Sequence, residues 1–150
     1  MASIICGSIA YDTIMNFEGR FQDQILPDQI HILNVAFLVP NMRREFGGCA
    51  GNIAYTLQLL GGKPVVMATV GADSEPYMEH LGRFGINQQF IKRIDGAFTA
   101  QAMITTDMAN NQITAFHPGA MNQSHLNRVN DCIAQLDKNS QHIGIVAPDG

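Results

Sequence analysis

The sequence has few charged residues, no tryptophan and no long apolar run. Lys and Arg number 9 and Asp and Glu 13 among 150 residues, which gives a charged share of 15% and a net charge of −4. A surface that binds nucleic acid needs clustered positive charge, so this balance argues against a nucleic acid as the main partner. No apolar segment approaches the roughly 18 residues of a membrane span. We therefore expect a globular domain without a membrane partner.

Cysteine and the amino terminus point to a reducing compartment. Cys6, Cys49 and Cys132 are scattered and lack CxxC spacing, so neither a disulfide framework nor a zinc site is indicated. The five histidines also lack metal-ligand spacing, and no metal site is predicted. The opening residues, MASIICGSIAY, lack the basic residues and the long apolar core of a secretory signal. The expected location is the cytoplasm.

Apolar runs that alternate with helical patterns predict a parallel α/β sheet. Four continuous apolar runs are typical of buried strands: residues 3–10, 64–70, 90–94 and 143–147. Between them, helical patterns begin near residues 52 and 75. Strand–helix alternation of this kind favours parallel strands that are covered on both faces.

Each predicted helix has an apolar stripe that should be buried. Ile53, Leu57 and Leu60 lie at helical spacing in the first helix, which Gly61 is expected to end. In the second helix, Pro76 suits the first turn. A third helix is expected to run to about Lys138, with a buried face made of Leu126, Val129, Ile133 and Leu136.

Two segments depart from this alternation. Residues 13–46 contain two strand-like pieces, TIMNF and VAFLV, separated by turn residues without a helical period. Residues 99–106 and 112–116 form two β-like runs around a turn in which Asn110 can adopt a positive φ. Long insertions into a compact layer are typical of lids and binding loops.

A glycine-rich turn leads into the first helix and is the strongest local feature. Glycines allow a ligand to approach the backbone, and the first N–H groups of a helix are unpaired donors that suit an oxygen-rich ligand. The alternative is a tight turn that only packs closely. Asn52 either caps the helix or faces the ligand, and Cys49 is either a reactive thiol or a small filler. The spacing is neither a Rossmann fingerprint nor a P-loop.

Asp12 is expected just beyond the carboxyl end of the first strand, the edge at which open α/β sheets bind ligands. A carboxylate there can accept two hydrogen bonds from a vicinal diol, although a solvated loop acid is an equally open interpretation. The segment Arg43-Arg44-Glu45 either reaches a phosphate or forms a surface ion pair, and the ion pair is favoured.

The run GGCAGNIAYTLQLLGGKPVVMATVG resembles the first signature of the PfkB, or ribokinase-like, carbohydrate and nucleoside kinases. Six spaced positions carry the resemblance: Gly47, Gly48, Asn52, Ala54, Gly61 and Gly71. The opening ICGSIAYD resembles the first strand of that family and its substrate Asp. The segments GADSEPYMEHLGRFGI and HPGAM resemble further family motifs, so the resemblance covers nearly all of the chain.

The resemblance implies a three-layer ribokinase-like α/β fold with a mostly parallel sheet and a small β-lid. Residues 1–150 would be the amino-terminal half, with lid segments at about 13–46 and 99–116. The implied reaction is ATP-dependent phosphorylation of a primary hydroxyl of a nucleoside or sugar, with Mg²⁺. Asp12, Gly47, Gly48 and Asn52 would bind the acceptor substrate. The catalytic base Asp and the nucleotide site would lie in the missing carboxyl-terminal half, so these 150 residues alone are expected to be inactive.

Two departures from the ribokinase pattern bear on the substrate. Ala10 stands where ribokinases carry an Asn, and Cys49 replaces the basic residue of their glycine turn. The GGxAGN form looks more like the adenosine and nucleoside kinases, which favours adenosine. The alternatives are a ribokinase- or fructokinase-type sugar kinase and a non-catalytic module that binds a nucleoside or sugar. Pairing of lids into a homodimer is a further expectation, since lids in this family can pair.

Overall fold

Two four-stranded sheets, one parallel and one mixed, form the framework of the chain. The computed structural model describes residues 1–149. Its strands are β1 (Ser3–Cys6), β2 (Ala10–Asn16), β3 (Asn41–Gly47), β4 (Pro64–Val70), β5 (Asn87–Arg93), β6 (Ala100–Thr106), β7 (Gln112–His117) and β8 (Ile143–Val146). The order in the parallel sheet is β5-β4-β1-β8, and the order in the mixed sheet is β3-β2-β6-β7. The predicted parallel α/β architecture is confirmed.

The core lies where helix α1 (Cys49–Leu59) packs on the parallel sheet. Every residue of β4 is buried, as its uninterrupted apolar run requires. The helix approaches the sheet closely because its buried residues are small: Ala50, Gly51 and Ala54. The predicted stripe forms only part of the core face: Ile53 and Leu57 are partly buried and pack against the core, whereas Leu60 is 79% exposed.

The first apolar run is divided between the two sheets. We expected one strand over residues 3–10, but β1 ends at Cys6 and β2 begins at Ala10. Gly7 lies in the bend, where an added Cβ would come within 3.0 Å of Ala147 and 3.3 Å of Ala50. The chain thus leaves the parallel sheet at Gly7 and enters the mixed sheet three residues later.

In the mixed sheet, the strand that follows the long insertion is not the expected one. The piece VAFLV forms no strand, and β3 occupies Asn41–Gly47 instead. The ring of Phe37 packs at 4.9 Å from the rings of both Phe17 and Phe21, so this apolar segment contributes to an aromatic cluster and not to a ladder. Short 3₁₀ turns occupy Phe21–Asp23 and Pro27–Ile32.

The predicted hairpin at the other end of this sheet is confirmed. Strands β6 and β7 pair antiparallel, and Asn110 has a φ of 61° in the connecting turn. Asp107 stabilises the turn by accepting hydrogen bonds from the backbone N–H groups of Ala109 and Asn111. It also accepts one from the N–H of Phe21, which ties the long insertion to the hairpin.

Helix α2 (Glu75–Arg83) has Pro76 in its first turn as expected, but the third helix is far shorter than predicted. A 3₁₀ segment spans Gly119–Leu126, and α3 covers only Val129–Ile133. Extended backbone at Asn127 and Arg128 separates the two. The predicted buried face is therefore wrong: three of its four members are between 43% and 48% exposed, and Cys132 is buried instead. No helix within residues 1–149 has the length and apolarity to span a membrane.

Candidate functional site

Asp12 lies within β2, which follows the carboxyl end of β1. On β3 its direct neighbour is Glu45, and the next residue pair on the same face of the sheet is Ala10 with Gly47. The carboxylate is packed against Gly47, because a Cβ added there would lie 2.3 Å from Asp12 Oδ2. Burial raises the pKa of the Asp12 carboxyl above its ordinary value. The sequence-predicted acid and the first glycine of the turn are thus in direct contact.

Gly48 is the residue that turns β3 into α1. Its φ of +89° belongs to the left-handed region, and an added Cβ would lie 2.6 Å from the backbone N of Ala10 and the backbone O of Ser8. Any side chain here would collide with backbone that cannot move aside. The two glycines therefore bring the turn against the start of β2, where Asp12 stands.

The N-terminus of α1 is already occupied by Ser8. The hydroxyl of Ser8 accepts a hydrogen bond from the N–H of Cys49 at 3.0 Å, and its carbonyl accepts from Ala50 at 2.9 Å and Gly51 at 3.4 Å. The expectation of free N–H donors for a ligand is therefore wrong. Ser8 was not identified from the sequence, since it lies 41 residues before Cys49, the first residue of the helix that it caps.

Asn52 does not cap this helix. Gly48 is the N-cap residue, and the N–H of Asn52 makes the first bond of the helical ladder, to the Gly48 carbonyl at 3.1 Å. The Asn52 side chain is exposed, one helical turn beyond the glycines, and is available to a ligand. It borders a cavity of about 200 Å³, whose aromatic lining includes Phe46, Tyr55 and His80.

Tyr77 of α2 holds the glycine turn in place by a hydrogen bond. Its hydroxyl donates a 2.7 Å hydrogen bond to the carbonyl of Gly47, and the side chain is only 1% exposed. Gly51 makes room for it, because a Cβ there would lie 2.0 Å from the hydroxyl. Burial, together with the nearby charge of Asp12, raises the pKa of Tyr77 far above its usual range. No sequence pattern singled out Tyr77.

Asp73 connects the mixed sheet to the loop before α2. Its carboxylate accepts hydrogen bonds from the N–H of Thr99 at 2.7 Å and from Arg44 at 3.2 Å, and its carbonyl accepts one from the hydroxyl of Tyr11. The Arg44 guanidinium also lies 3.6 Å over the Tyr11 ring. Burial opposes ionisation of Asp73, but these hydrogen bonds prevail and lower its pKa. Strands β2 and β3 and the residue that precedes β6 are thereby anchored to Asp73.

The other residues singled out from the sequence make contacts within the protein. Arg43 and Glu45 form an exposed ion pair at 3.5 Å, in agreement with the favoured interpretation of that segment. Arg44 is committed to Asp73, and Cys49 is partly buried in the turn. Within residues 1–149, no group of three or more His, Cys, Asp or Glu side chains could hold a metal ion. A larger apolar groove of about 370 Å³ lies between α1 and Ile145.

Comparisons with known proteins agree with this architecture. Residues 9–148 match the family model described as pfkB family carbohydrate kinase. A Burkholderia thailandensis nucleoside kinase solved in complex with inosine is 52% identical, with a TM-score of 0.76 over 99% of this chain. A nucleoside kinase of Methanocaldococcus jannaschii is 32% identical over 123 residues, which is 80% of this chain. The fold is thus ribokinase-like, with a mostly parallel sheet.

The chain is much shorter than these relatives. It spans 37% of the length of the Methanocaldococcus protein and 45% of the solved Burkholderia chain. A ribokinase of Cryptococcus neoformans, only 18% identical, shares the fold with a TM-score of 0.66 over 80% of this chain.

Proposed function

The chain belongs to the pfkB family of carbohydrate kinases, and we propose that its protein uses ATP to phosphorylate a primary hydroxyl of a nucleoside. The GGxAGN form of the glycine turn favours adenosine. Similarity to the Burkholderia kinase, which was solved with inosine, adds a second purine nucleoside to be tested. This chain would supply the acceptor site.

The observation that carries the proposal is the contact between Asp12 and Gly47. A partly buried carboxylate beside a backbone without side chains can accept two hydrogen bonds from a ribose diol, while the sugar ring approaches the glycines. Asn52, exposed one turn further, would add an amide to the same ligand. We therefore assign Asp12, Gly47, Gly48 and Asn52 to the acceptor substrate.

ATP and Mg²⁺ are implied by the family, and the residues of this chain do not fit them. Residues 1–149 offer no cluster of metal-binding side chains, and Ser8 already occupies the amide groups at the start of α1. What this chain contributes to phosphoryl transfer is the position of the acceptor hydroxyl, which accounts for much of catalysis in such reactions.

The mixed sheet would serve as the lid of the acceptor site. It contains Asp12 and is anchored through Asp73, so its orientation controls how the carboxylate faces a sugar. We propose that residues of about 13–46 and 99–116 cover the bound nucleoside and exclude water from the transferred phosphoryl group. This assignment predicts greater protection of β6 and β7 from hydrogen exchange when a nucleoside is bound.

Lid pairing into a homodimer is a linked proposal. Met42, Met103 and Ile113 are between 42% and 69% exposed, and all three lie on the face of the mixed sheet opposite to Asp12. Exposed apolar side chains on an open sheet favour association with a second copy. Sedimentation velocity should show a concentration-dependent dimer that Ile113→Asp disrupts. A monomer at every concentration would contradict the proposal.

A panel of acceptors tests the proposed function. The complete product of the gene should convert adenosine or inosine to the monophosphate with ATP, and should act more weakly on ribose and fructose. The isolated 150 residues should show no turnover. Preference for a free sugar would indicate a sugar kinase, and nucleoside binding without turnover by the complete product would indicate a binding module. Either result would overturn the proposal.

A further inference from the structure

A row of residues crosses the mixed sheet on the face that carries Asp12. The register places Asp12 of β2 directly beside Ala102 of β6, and Ala102 directly opposite Phe116 of β7. Directly paired residues present their side chains on the same face of a sheet. Asp12 and Phe116 are therefore two strand spacings apart, about 10 Å at roughly 4.8 Å per strand.

The ring of Phe116 has no aromatic partner. It is 54% exposed and makes no ring contact with any residue in 1–149, whereas Phe46, Phe17 and Phe37 all stack or tilt against neighbouring rings. An exposed phenyl group on a strand costs favourable burial unless something covers it. Its position on the Asp12 face distinguishes it from Ile113, which lies on the opposite face of the same strand.

Ala102 lies between the two side chains. It carries only a methyl group and is partly exposed, whereas the neighbouring row toward the glycine turn, Ala10, Ala100 and Gly47, is buried. A small, partly exposed residue thus has a carboxylate on one side and an aromatic ring on the other. The span from Asp12 to Phe116 is comparable to that of a nucleoside from its ribose hydroxyls to its base.

We propose that Phe116 is the stacking platform for the base of a nucleoside whose ribose hydroxyls bind Asp12. The proposal rests on the function proposed above and makes Phe116 a specificity-determining residue. A purine offers a flat π surface to the phenyl ring, and a free pentose offers none. Phe116 therefore favours nucleosides over bare sugars, while Asp12 binds the part that both ligands share.

Four variants of the complete protein test this role: Phe116→Ala, Phe116→Leu, Phe116→Tyr and the control Leu59→Ala, which truncates an exposed apolar side chain of α1. Calorimetry with adenosine, inosine and ribose gives the dissociation constants. We expect Phe116→Ala to weaken nucleoside binding about tenfold, equal to about 1.4 kcal/mol, and to leave ribose binding within about twofold, as for a neutral surface change. Phe116→Leu should resemble Ala, and Phe116→Tyr should resemble the wild type.

The outcomes separate this inference from the proposed function. If the wild-type protein binds and phosphorylates nucleosides but Phe116→Ala and Leu59→Ala behave alike, the stacking role of Phe116 is wrong and the kinase assignment stands. If Phe116→Leu binds nucleosides as tightly as the wild type, affinity depends on the size of the side chain and not on its aromatic ring, which also overturns the inference. If Phe116→Ala changes only the dimerisation constant, Phe116 belongs to an interface. Failure of the wild type to bind any nucleoside would overturn both proposals.

Discussion

The hydroxyl oxygen of Tyr77 lies 2.7 Å from the carbonyl oxygen of Gly47, which it reaches through the space left by the missing side chain of Gly51. Gly47 in turn contacts the carboxylate of Asp12. A buried residue of α2 thus holds the glycine turn, and the turn holds the position of the candidate substrate-binding acid.

Tyr77→Phe should destabilise the protein by about 1–3 kcal/mol, because the buried Gly47 carbonyl would lose its donor. Tyr55→Phe is the matched control. The Tyr55 ring packs against His80 and Phe84, and its hydroxyl makes no hydrogen bond within residues 1–149, so the change in stability should fall within about 0.5 kcal/mol. Denaturant unfolding measures both. Equal effects of the two substitutions would show that the hydrogen bond has no special role.

Gly48→Ala should cost more than Gly61→Ala, although both positions have positive φ. A left-handed alanine costs roughly 1–2 kcal/mol at either site. At Gly61 no atom lies within 4 Å of an added Cβ, whereas at Gly48 the Cβ meets backbone at 2.6 Å. Overpacking adds about 1–3 kcal/mol at Gly48. Unfolding free energies that agree for the two variants would contradict the close approach of the turn to β2.

Ser8→Ala should destabilise α1 by about 0.5–2 kcal/mol, the usual cost of losing a side-chain cap. The hydroxyl of Ser8 accepts the Cys49 N–H, so its removal frees a donor at the helix start. Ser3→Ala is the control, because Ser3 lies in β1 and its hydroxyl has no hydrogen-bond partner within residues 1–149. Hydrogen exchange of the Cys49 amide should accelerate in Ser8→Ala only; unchanged exchange would refute the cap.

Asp12→Asn should stabilise the folded protein near neutral pH. Burial raises the pKa of this carboxyl above 3.8, so the folded state binds the proton more tightly than the unfolded chain. The free energy of unfolding therefore falls as the pH rises from the pKa of Asp12 in the unfolded chain to its pKa in the folded protein. The loss of stability remains at about pH 7, where the buried carboxyl is charged. Thermal unfolding should show a higher Tm for Asp12→Asn at about pH 7, with the difference vanishing in acid below the unfolded pKa. A lower Tm at neutral pH would contradict the burial of the charged form.

Elements with strong local signals were predictable from the sequence. The β4 run, the Asn110 turn and the glycines at the start of α1 each show a pattern within a few residues of sequence, and the structure has them where the sequence indicates. The boundary between β1 and β2 was missed because a continuous apolar run does not show that its two parts enter different sheets.

The supporting residues of the site were not predictable, because their contacts join distant segments. Ser8 caps a helix that begins at Cys49, and Tyr77 bonds to Gly47 thirty residues earlier. Asp73 accepts hydrogen bonds from Tyr11, Arg44 and Thr99. The prediction of a long third helix was wrong for a different reason: the apolar spacing is helical, but extended backbone at Arg128 interrupts the helix.

Nucleoside affinity, measured by calorimetry on wild-type protein and Asp12→Asn with a nucleoside and its 2′,3′-dideoxy analogue, tests the central claim most directly. The wild type should bind the nucleoside more tightly than the analogue by about 1.5–3 kcal/mol for each hydrogen bond to the carboxylate. Asp12→Asn should bind both ligands weakly and nearly alike. An Asp12→Asn protein that still prefers the intact diol by the wild-type margin would show that the sugar is held elsewhere.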